Sequence, residues 1–315
     1  MKWTGVMPAL TTAFNKDLKV DLAFVGAHAR WQIENGVSGL VGLGSLGEAA
    51  TLTLDEKFAV IDTLVEAAES KVPVIGAISA LSTDEAVTLA QGAEQRGASG
   101  LMILPPYVYK GDWMEMKAHV GAVLEASPLP AMLYNNPVAY GTDFTPEQIE
   151  ELAAEFPTLK AVKESSTDVR RVTAIRALIG ERLAVFVGVD DAIVEGIAAG
   201  AVGWIAGLVN AFPRESVDLF DLASRGIVEE TFELYRWFLP LLRMDTVPKF
   251  VQLIKQVQQE VGVGSARVRG PRRELVGAEL DAVRETVRQA MAMRPGIARS
   301  NTAFNTSATM IAKHA

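Results

Sequence analysis

Lys163 ends an apolar run, Lys160-Ala161-Val162-Lys163-Glu164-Ser165-Ser166, that reads as a buried strand. An amine at such a strand end is desolvated, which disfavours its ammonium form and leaves a nucleophile able to attack a carbonyl or imine carbon. The plainer alternative is a lysine paired with Glu164. Tyr134, in Leu133-Tyr134-Asn135-Asn136-Pro137, closes another short apolar run. Its phenol could pass protons to and from a bound molecule, or simply pack. In Gly42-Leu43-Gly44-Ser45-Leu46-Gly47-Glu48, glycines bracket a serine. Such a turn exposes backbone N–H groups beside a hydroxyl and suits a carboxylate. It lacks the GxxxxGK[ST] lysine, so a nucleotide P-loop is not supported.

Other groups narrow the chemistry. Cysteine is absent, which excludes disulfides, thiolate zinc sites and a cysteine nucleophile, and is compatible with a reducing cytoplasm. His28, His119 and His314 are far apart with no HExxH pattern, so no metal site is expected. His28 and His119 are expected on helix surfaces or at an interface. The 30 basic and 38 acidic residues give a net charge of -8 without a basic patch, which argues against nucleic acid. The stretch from Gly196 to Val209 is shorter than the ~20 apolar residues of a membrane helix, and Met1-Lys2-Trp3-Thr4-Gly5 shows no secretory pattern. The expectation is a cytoplasmic protein acting on a small molecule, with no cofactor and no membrane or nucleic-acid partner.

Something must hold these groups together. Apolar runs at Gly5–Leu10, Gly39–Gly44, Val72–Ile78, Gly100–Leu104, Pro130–Tyr134, Lys160–Lys163, Ala184–Gly188 and Val202–Gly207 alternate with polar, helix-period stretches. Near-continuous apolar runs mark strands covered on both faces, and the alternation marks βαβ units. Eight units predict an α/β fold, a (β/α)8 TIM barrel spanning 1–212. Such barrels carry their chemistry at the C-terminal rim of the strands, where Ser45, Tyr107, Tyr134 and Lys163 all fall. Thr53 with Glu56, Ser82 with Glu85, and Thr145 with Gln148 have capping-box spacing. After Thr53, Phe58, Ile61, Val65 and Ala68 are expected to face the core. From Pro213 strand signals stop, and Leu219, Leu222, Phe232, Tyr235, Phe238, Leu241 and Leu242 suggest amphipathic helices. This predicts a C-terminal helical extension over 213–297 and a flexible tail over 298–315.

Together, Gly44-Ser45-Leu46-Gly47-Glu48, Tyr134-Asn135-Asn136-Pro137 and Val162-Lys163-Glu164-Ser165 resemble the dihydrodipicolinate synthase/N-acetylneuraminate lyase family over roughly Trp3 to Pro295. The resemblance implies a barrel enzyme, usually tetrameric, in which Lys163 forms a Schiff base with a 2-oxo acid and Tyr134 transfers protons. It implies that Ser45 and the Ser45 and Leu46 backbone bind a carboxylate, while Gly188 and Ile205 line the same pocket. The turn usually carries a second hydroxyl residue where this chain has Leu46. Where the synthases have a carboxylate-binding arginine this chain has Ala139, a loss worth roughly 1.5–3 kcal/mol. The tyrosine that many members pass to a neighbouring subunit aligns with Val108, leaving Tyr107 and Tyr109 as imperfect interface substitutes.

Within the family, the combination with Asn135-Asn136-Pro137-Val138-Ala139-Tyr140-Gly141 looks most like the Δ1-pyrroline-4-hydroxy-2-carboxylate deaminases of hydroxyproline breakdown. The alternatives are a 2-keto-3-deoxy sugar acid aldolase or dehydratase, a dihydrodipicolinate synthase, and a noncatalytic barrel that senses a 2-oxo acid. Keeping both a nucleophile and a proton carrier speaks against the sensor.

Overall fold

A computed structural model describes residues 1–295, and His314 and the segment read as a tail from 298 lie outside the described residues. The eight expected strands form, each within a few residues of its sequence bounds: β1 (Gly5–Pro8), β2 (Leu40–Gly42), β3 (Val74–Ile78), β4 (Gly100–Ile103), β5 (Ala131–Asn135), β6 (Leu159–Glu164), β7 (Ala184–Val187) and β8 (Gly203–Ala206). All pair in parallel, in the order β1-β8-β7-β6-β5-β4-β3-β2. A parallel bridge from Ala9 to Val41 joins β1 to β2. The result is a (β/α)8 TIM barrel.

Helices α1 (Leu22–Glu34), α2 (Leu54–Ala68), α3 (Thr83–Gln95), α4 (Trp113–Glu125), α5 (Pro137–Tyr140), α6 (Pro146–Glu155), α7 (Arg170–Ile179) and α8 (Ile193–Ala198) follow β1 to β7, the short α5 being an extra turn ahead of α6. After β8 come α9 (Pro213–Ser224), α10 (Val228–Leu242), α11 (Phe250–Glu260) and α12 (Gly277–Ala292). Placed by the sequence at the head of the extension, α9 packs against β1 and α8 and so occupies the eighth helical position. Among the described residues, no helix is long and apolar enough to cross a membrane.

Two capping boxes form as read, at Thr53 with Glu56 and Thr145 with Gln148. Ser82 makes only half of one: it accepts the Glu85 N–H, while the Glu85 carboxylate lies 3.3 Å from Lys57 Nζ. A further box, Asp112 with Glu115, opens α4. The buried face of α2 is also rotated from expectation. Val60, Ile61, Leu64, Ala67 and Ala68 are buried, whereas Phe58 and Val65 are half-buried, because Phe58 turns aside to stack under the Arg96 guanidinium. Phe232 likewise stays exposed while Leu219, Tyr235, Phe238, Leu241 and Leu242 enter the core.

The histidines correct the reading most clearly. His28 and His119 are 2% and 6% exposed, not surface residues. His28 Nε2 meets Asn210 O at 2.9 Å, and His119 Nδ1 meets Thr83 Oγ1 at 3.0 Å. Each fills a polar gap between packed elements, a role invisible when charge and period alone are read.

Candidate active site

Lys163 and Tyr134 are register partners on β6 and β5, so strand pairing alone sets them side by side. The Lys163 amine lies 4.0 Å from the centroid of the Tyr134 ring. Both are nearly buried, at 5% and 6% exposure. Because successive strand residues face opposite sides, Glu164 turns away from Lys163. Its carboxylate takes the Ser166 N–H at 2.6 Å and the Asn135 amide at 3.0 Å, with Arg171 3.9 Å away. The lysine–glutamate pairing considered from sequence is therefore not what these residues make. Burial pushes the Glu164 carboxyl up.

Gly188, the residue after β7, explains how the lysine reaches the mouth. A Cβ there would stand 2.4 Å from Lys163 Cε and 2.0 Å from Ser165 Oγ. Only bare backbone lets both side chains pass. Ser165 Oγ is buried without a hydrogen-bond partner, a donor left beside the amine that sequence reading overlooked. Ile205 is buried in β8, registered with Met7 of β1.

The turn after β2 carries Ser45 to the same mouth. Leu43 and Glu48 adopt positive φ of 66° and 54°, a conformation that costs non-glycine residues energy and persists only when surroundings hold it. Glu48 supplies that hold. Fully buried, its carboxylate meets Lys255 Nζ of α11 at 2.5 Å and the Arg269 N–H at 3.0 Å. Burial lowers the Lys255 amine to about 8 despite the glutamate beside it. A Cβ on Gly47 would press to 2.9 Å from Leu10 O, so the turn also needs its glycine. Leu46 is buried at 3% exposure and packs inward as an apolar plug.

Tyr140 is the residue that sequence reading left out of the site. Asn136 caps α5, accepting the Ala139 N–H at 3.0 Å while its amide donates to the Tyr134 hydroxyl at 3.0 Å. Pro137 starts the helix and Gly141, at φ 70°, ends it after a single turn. That turn sends the Tyr140 hydroxyl to hydrogen-bond Ser45 Oγ. The Tyr140 ring meets Tyr134 edge-on at 5.7 Å and Tyr107 at 5.3 Å. Burial, then the neighbouring Tyr134 and Tyr107 phenols, hold the Tyr140 hydroxyl well above the usual phenol range. The cap Asn, the proline behind it and the glycine four residues on were the available signals.

Tyr107 faces inward, accepting a hydrogen bond from Ser79, and burial raises its phenol. Tyr109 points away, 57% exposed and bonded to Glu115 at 2.9 Å. The mouth thus gathers one amine, three phenols and three serine hydroxyls around a carboxylate-sized turn. Among the described residues no cluster of side chains could hold a metal ion. An amine beside proton-carrying phenols can form an imine with a carbonyl compound and move protons on the adjacent carbon.

Known proteins place this arrangement in a family. Residues 2–290 match the model of the dihydrodipicolinate synthetase family. A 4-hydroxy-tetrahydrodipicolinate synthase from Chelativorans sp. (strain BNC1) is 35% identical over 75% of this chain and 81% of its own. Another from Rhizobium meliloti (strain 1021) is 33% identical over 85% and 91%. Among solved structures, a putative dihydrodipicolinate synthetase from Pseudomonas aeruginosa superposes with TM-score 0.87 at 30% identity, covering 92% of this chain and all of that one (100%). A prophage protein of the dihydrodipicolinic acid synthase family from E. coli K12, in complex with pyruvate, gives 0.86 at 26% identity over 92% and 99%. The chain belongs to the dihydrodipicolinate synthetase family and is a Schiff-base, class I aldolase-type lyase.

Proposed function

We propose that Lys163 is the Schiff-base lysine and that the substrate is Δ1-pyrroline-4-hydroxy-2-carboxylate, converted to 2,5-dioxopentanoate and ammonia. Lys163 attacks the ring C=N carbon, and transimination opens the ring and frees its nitrogen as an amine. The iminium acidifies the neighbouring C–H, Tyr134 carries the proton, and the 4-hydroxyl leaves as water. Tautomerisation and hydrolysis then release both products. Ser45 and the Ser45 and Leu46 N–H groups take the carboxylate, with Gly188 and Ile205 lining the pocket by their backbone.

The observation that carries the substrate reading is Tyr140 on Ser45, with Ala139 beside it in an α5 that has no charged residue. A mouth closed by phenols and Leu46 favours a compact monocarboxylate, since a second carboxylate would lose its charge-assisted partner. Incubation with the pyrroline should release ammonia and give a product that an aldehyde dehydrogenase oxidises. Pyruvate with aspartate semialdehyde should give little condensation. Efficient condensation without ammonia would replace the deaminase with a synthase and keep the Schiff base.

That synthase is the second reading, favoured by the activity named for the relatives and by Lys110, whose amine would stand 2.3 Å from a Cβ on Gly141 at the end of α5. It is a cation that could meet a second carboxylate, though Lys110 is exposed. Under either reading the protein is a cytoplasmic homotetramer, and of the two interface candidates, Tyr107 and Tyr109, only Tyr109 is exposed. Light scattering on the purified protein measures the subunit count.

A further inference from the structure

Asp245 ends the 3-10 turn Arg243–Asp245 that leads out of α10. That turn is fastened over another, Asp190–Ala192, at the end of β7. Arg243 Nε lies 3.7 Å from Asp191 Oδ2, and the Tyr235 hydroxyl donates to the Asp191 carbonyl. Held there, the Asp245 carboxyl rests on Gly207, the first residue past β8. A Cβ on Gly207 would stand 2.0 Å from Asp245 Oδ1 and 2.4 Å from its Cγ. The Gly207 N–H points to Asp190, at 3.1 Å from Oδ2, and the Leu208 N–H joins it at 2.8 Å.

This repeats the relation between Gly188 and Lys163 one strand further round. Two bare backbone positions, at the ends of β7 and β8, admit an amine and a carboxyl to the same rim. Neighbouring strands lie about 4.8 Å apart, so β6 to β8 spans about 10 Å, room for a molecule of a few carbons. Tyr134 on β5 flanks Lys163 on the opposite side. Asp245 Oδ1 is closed off from water yet has no hydrogen-bond partner. Burial and then the Asp190 carboxylate hold Asp245 well above the ordinary carboxyl range, with Lys163 opposing and Asp191 adding to the rise. Asp190, which is fully buried where Asp245 is half-buried, is pushed up to about 6. Asp245 thus brings a carboxyl with one buried, unpartnered oxygen to the end of β8, on the rim that Lys163 reaches from β6.

We propose that Asp245 is a catalytic acid that protonates the hydroxyl leaving a substrate held on Lys163. The proposal rests on the deaminase reading and assigns its leaving-group step. Once the C3 proton is gone, the enamine nitrogen pushes its electron pair back, C3=C4 forms, and the C4–O bond breaks. The departing oxygen keeps the bonding pair and takes the Asp245 proton, leaving as water. A conjugated iminium and an Asp245 carboxylate remain, and solvent reprotonates the carboxylate before the next cycle.

The test uses Asp245→Asn, which keeps the side-chain size and removes the acidic proton. Exchange of the pyruvate methyl protons in D2O requires only imine and enamine formation, and the variant should stay within about threefold of wild type. Ammonia release from the 4-hydroxy pyrroline should fall by ~10²-fold or more. The 4-fluoro analogue, whose leaving group needs far less proton assistance, should lose less than about tenfold. Equal losses on both substrates, a hydroxyl-substrate loss below about threefold, or collapse of pyruvate exchange would each overturn Asp245 as the acid. Pyruvate exchange without ammonia release in the wild type would overturn the deaminase reading itself, and the leaving-group step with it.

Discussion

The Tyr140 hydroxyl meets Ser45 Oγ across the barrel mouth, so the turn after β2 and the single turn of α5 share one hydrogen bond. That bond positions the serine hydroxyl under a phenol held protonated by burial and by its aromatic neighbours. Tyr140→Phe keeps the ring contacts to Tyr134 and Tyr107 and removes the link. The expected result is a loss of about ten- to a hundredfold in kcat with imine formation retained, up to the lower end of the ~10²–10⁴-fold range for a proton-handling group. Steady-state kinetics with borohydride trapping of pyruvate separates the two steps. Unchanged kcat would leave Tyr140 as packing.

Lys163→Ala should abolish turnover while leaving circular dichroism unchanged, because the side chain lies at the rim over Gly188 and away from the central strand packing. Borohydride added during wild-type turnover should fix substrate-derived mass on Lys163, and the variant should take up none. Near wild-type activity in the variant would remove the lysine from the mechanism.

Tyr134→Phe leaves the ring against Tyr140 but takes away the hydroxyl that accepts from Asn136 at 3.0 Å. Imine trapping should persist while the rate falls by ~10²–10⁴-fold. A loss below about threefold would reclassify Tyr134 as structural. Asn136→Ala gives a control, since it frees the phenol and also uncaps α5. Uncapping alone costs about 1 kcal/mol.

The strands were legible because burial on both faces leaves a near-continuous apolar run, as in Val185-Phe186-Val187 of β7. The rim placement of Lys163, Tyr134 and Ser45 was legible because each ends such a run or directly follows one. Tyr140 was not, since it sits on a one-turn helix too short for periodicity to register. Asp245 was harder still: it lies in sequence among amphipathic helices, and only the fastening of that 3-10 turn over Asp190–Ala192 brings it to the rim. His28 failed for the opposite reason. A polar residue on a helix reads as surface, but Asn210 from beyond β8 closes over it.

That burial makes His28 a source of acid sensitivity. Nε2 is 2.9 Å from Asn210 O and 3.2 Å from the Gln32 amide, and the ring packs between Phe24 and Trp31 at 5.8 and 5.6 Å. Burial outweighs the Asn210 carbonyl and lowers the imidazole from 6.5 to about 4. In the unfolded chain His28 takes its proton near the ordinary value, so between that value and about 4 the unfolded state binds more protons than the folded one. The stability this group contributes is therefore complete above about 6.5 and drains away as the pH falls toward about 4. Between about pH 7 and about pH 5 the loss should be about 2 kcal/mol. His119, also lowered by burial, works in the same direction, but it is present in both wild type and a His28→Gln variant and cancels in the difference. His28→Gln should be less stable than wild type at about pH 7 from imperfect packing, yet lose less on acidification. Urea unfolding at the two pH values measures both slopes. Parallel slopes, or an NMR titration of His28 near its ordinary value, would show that the ring is not sealed from solvent.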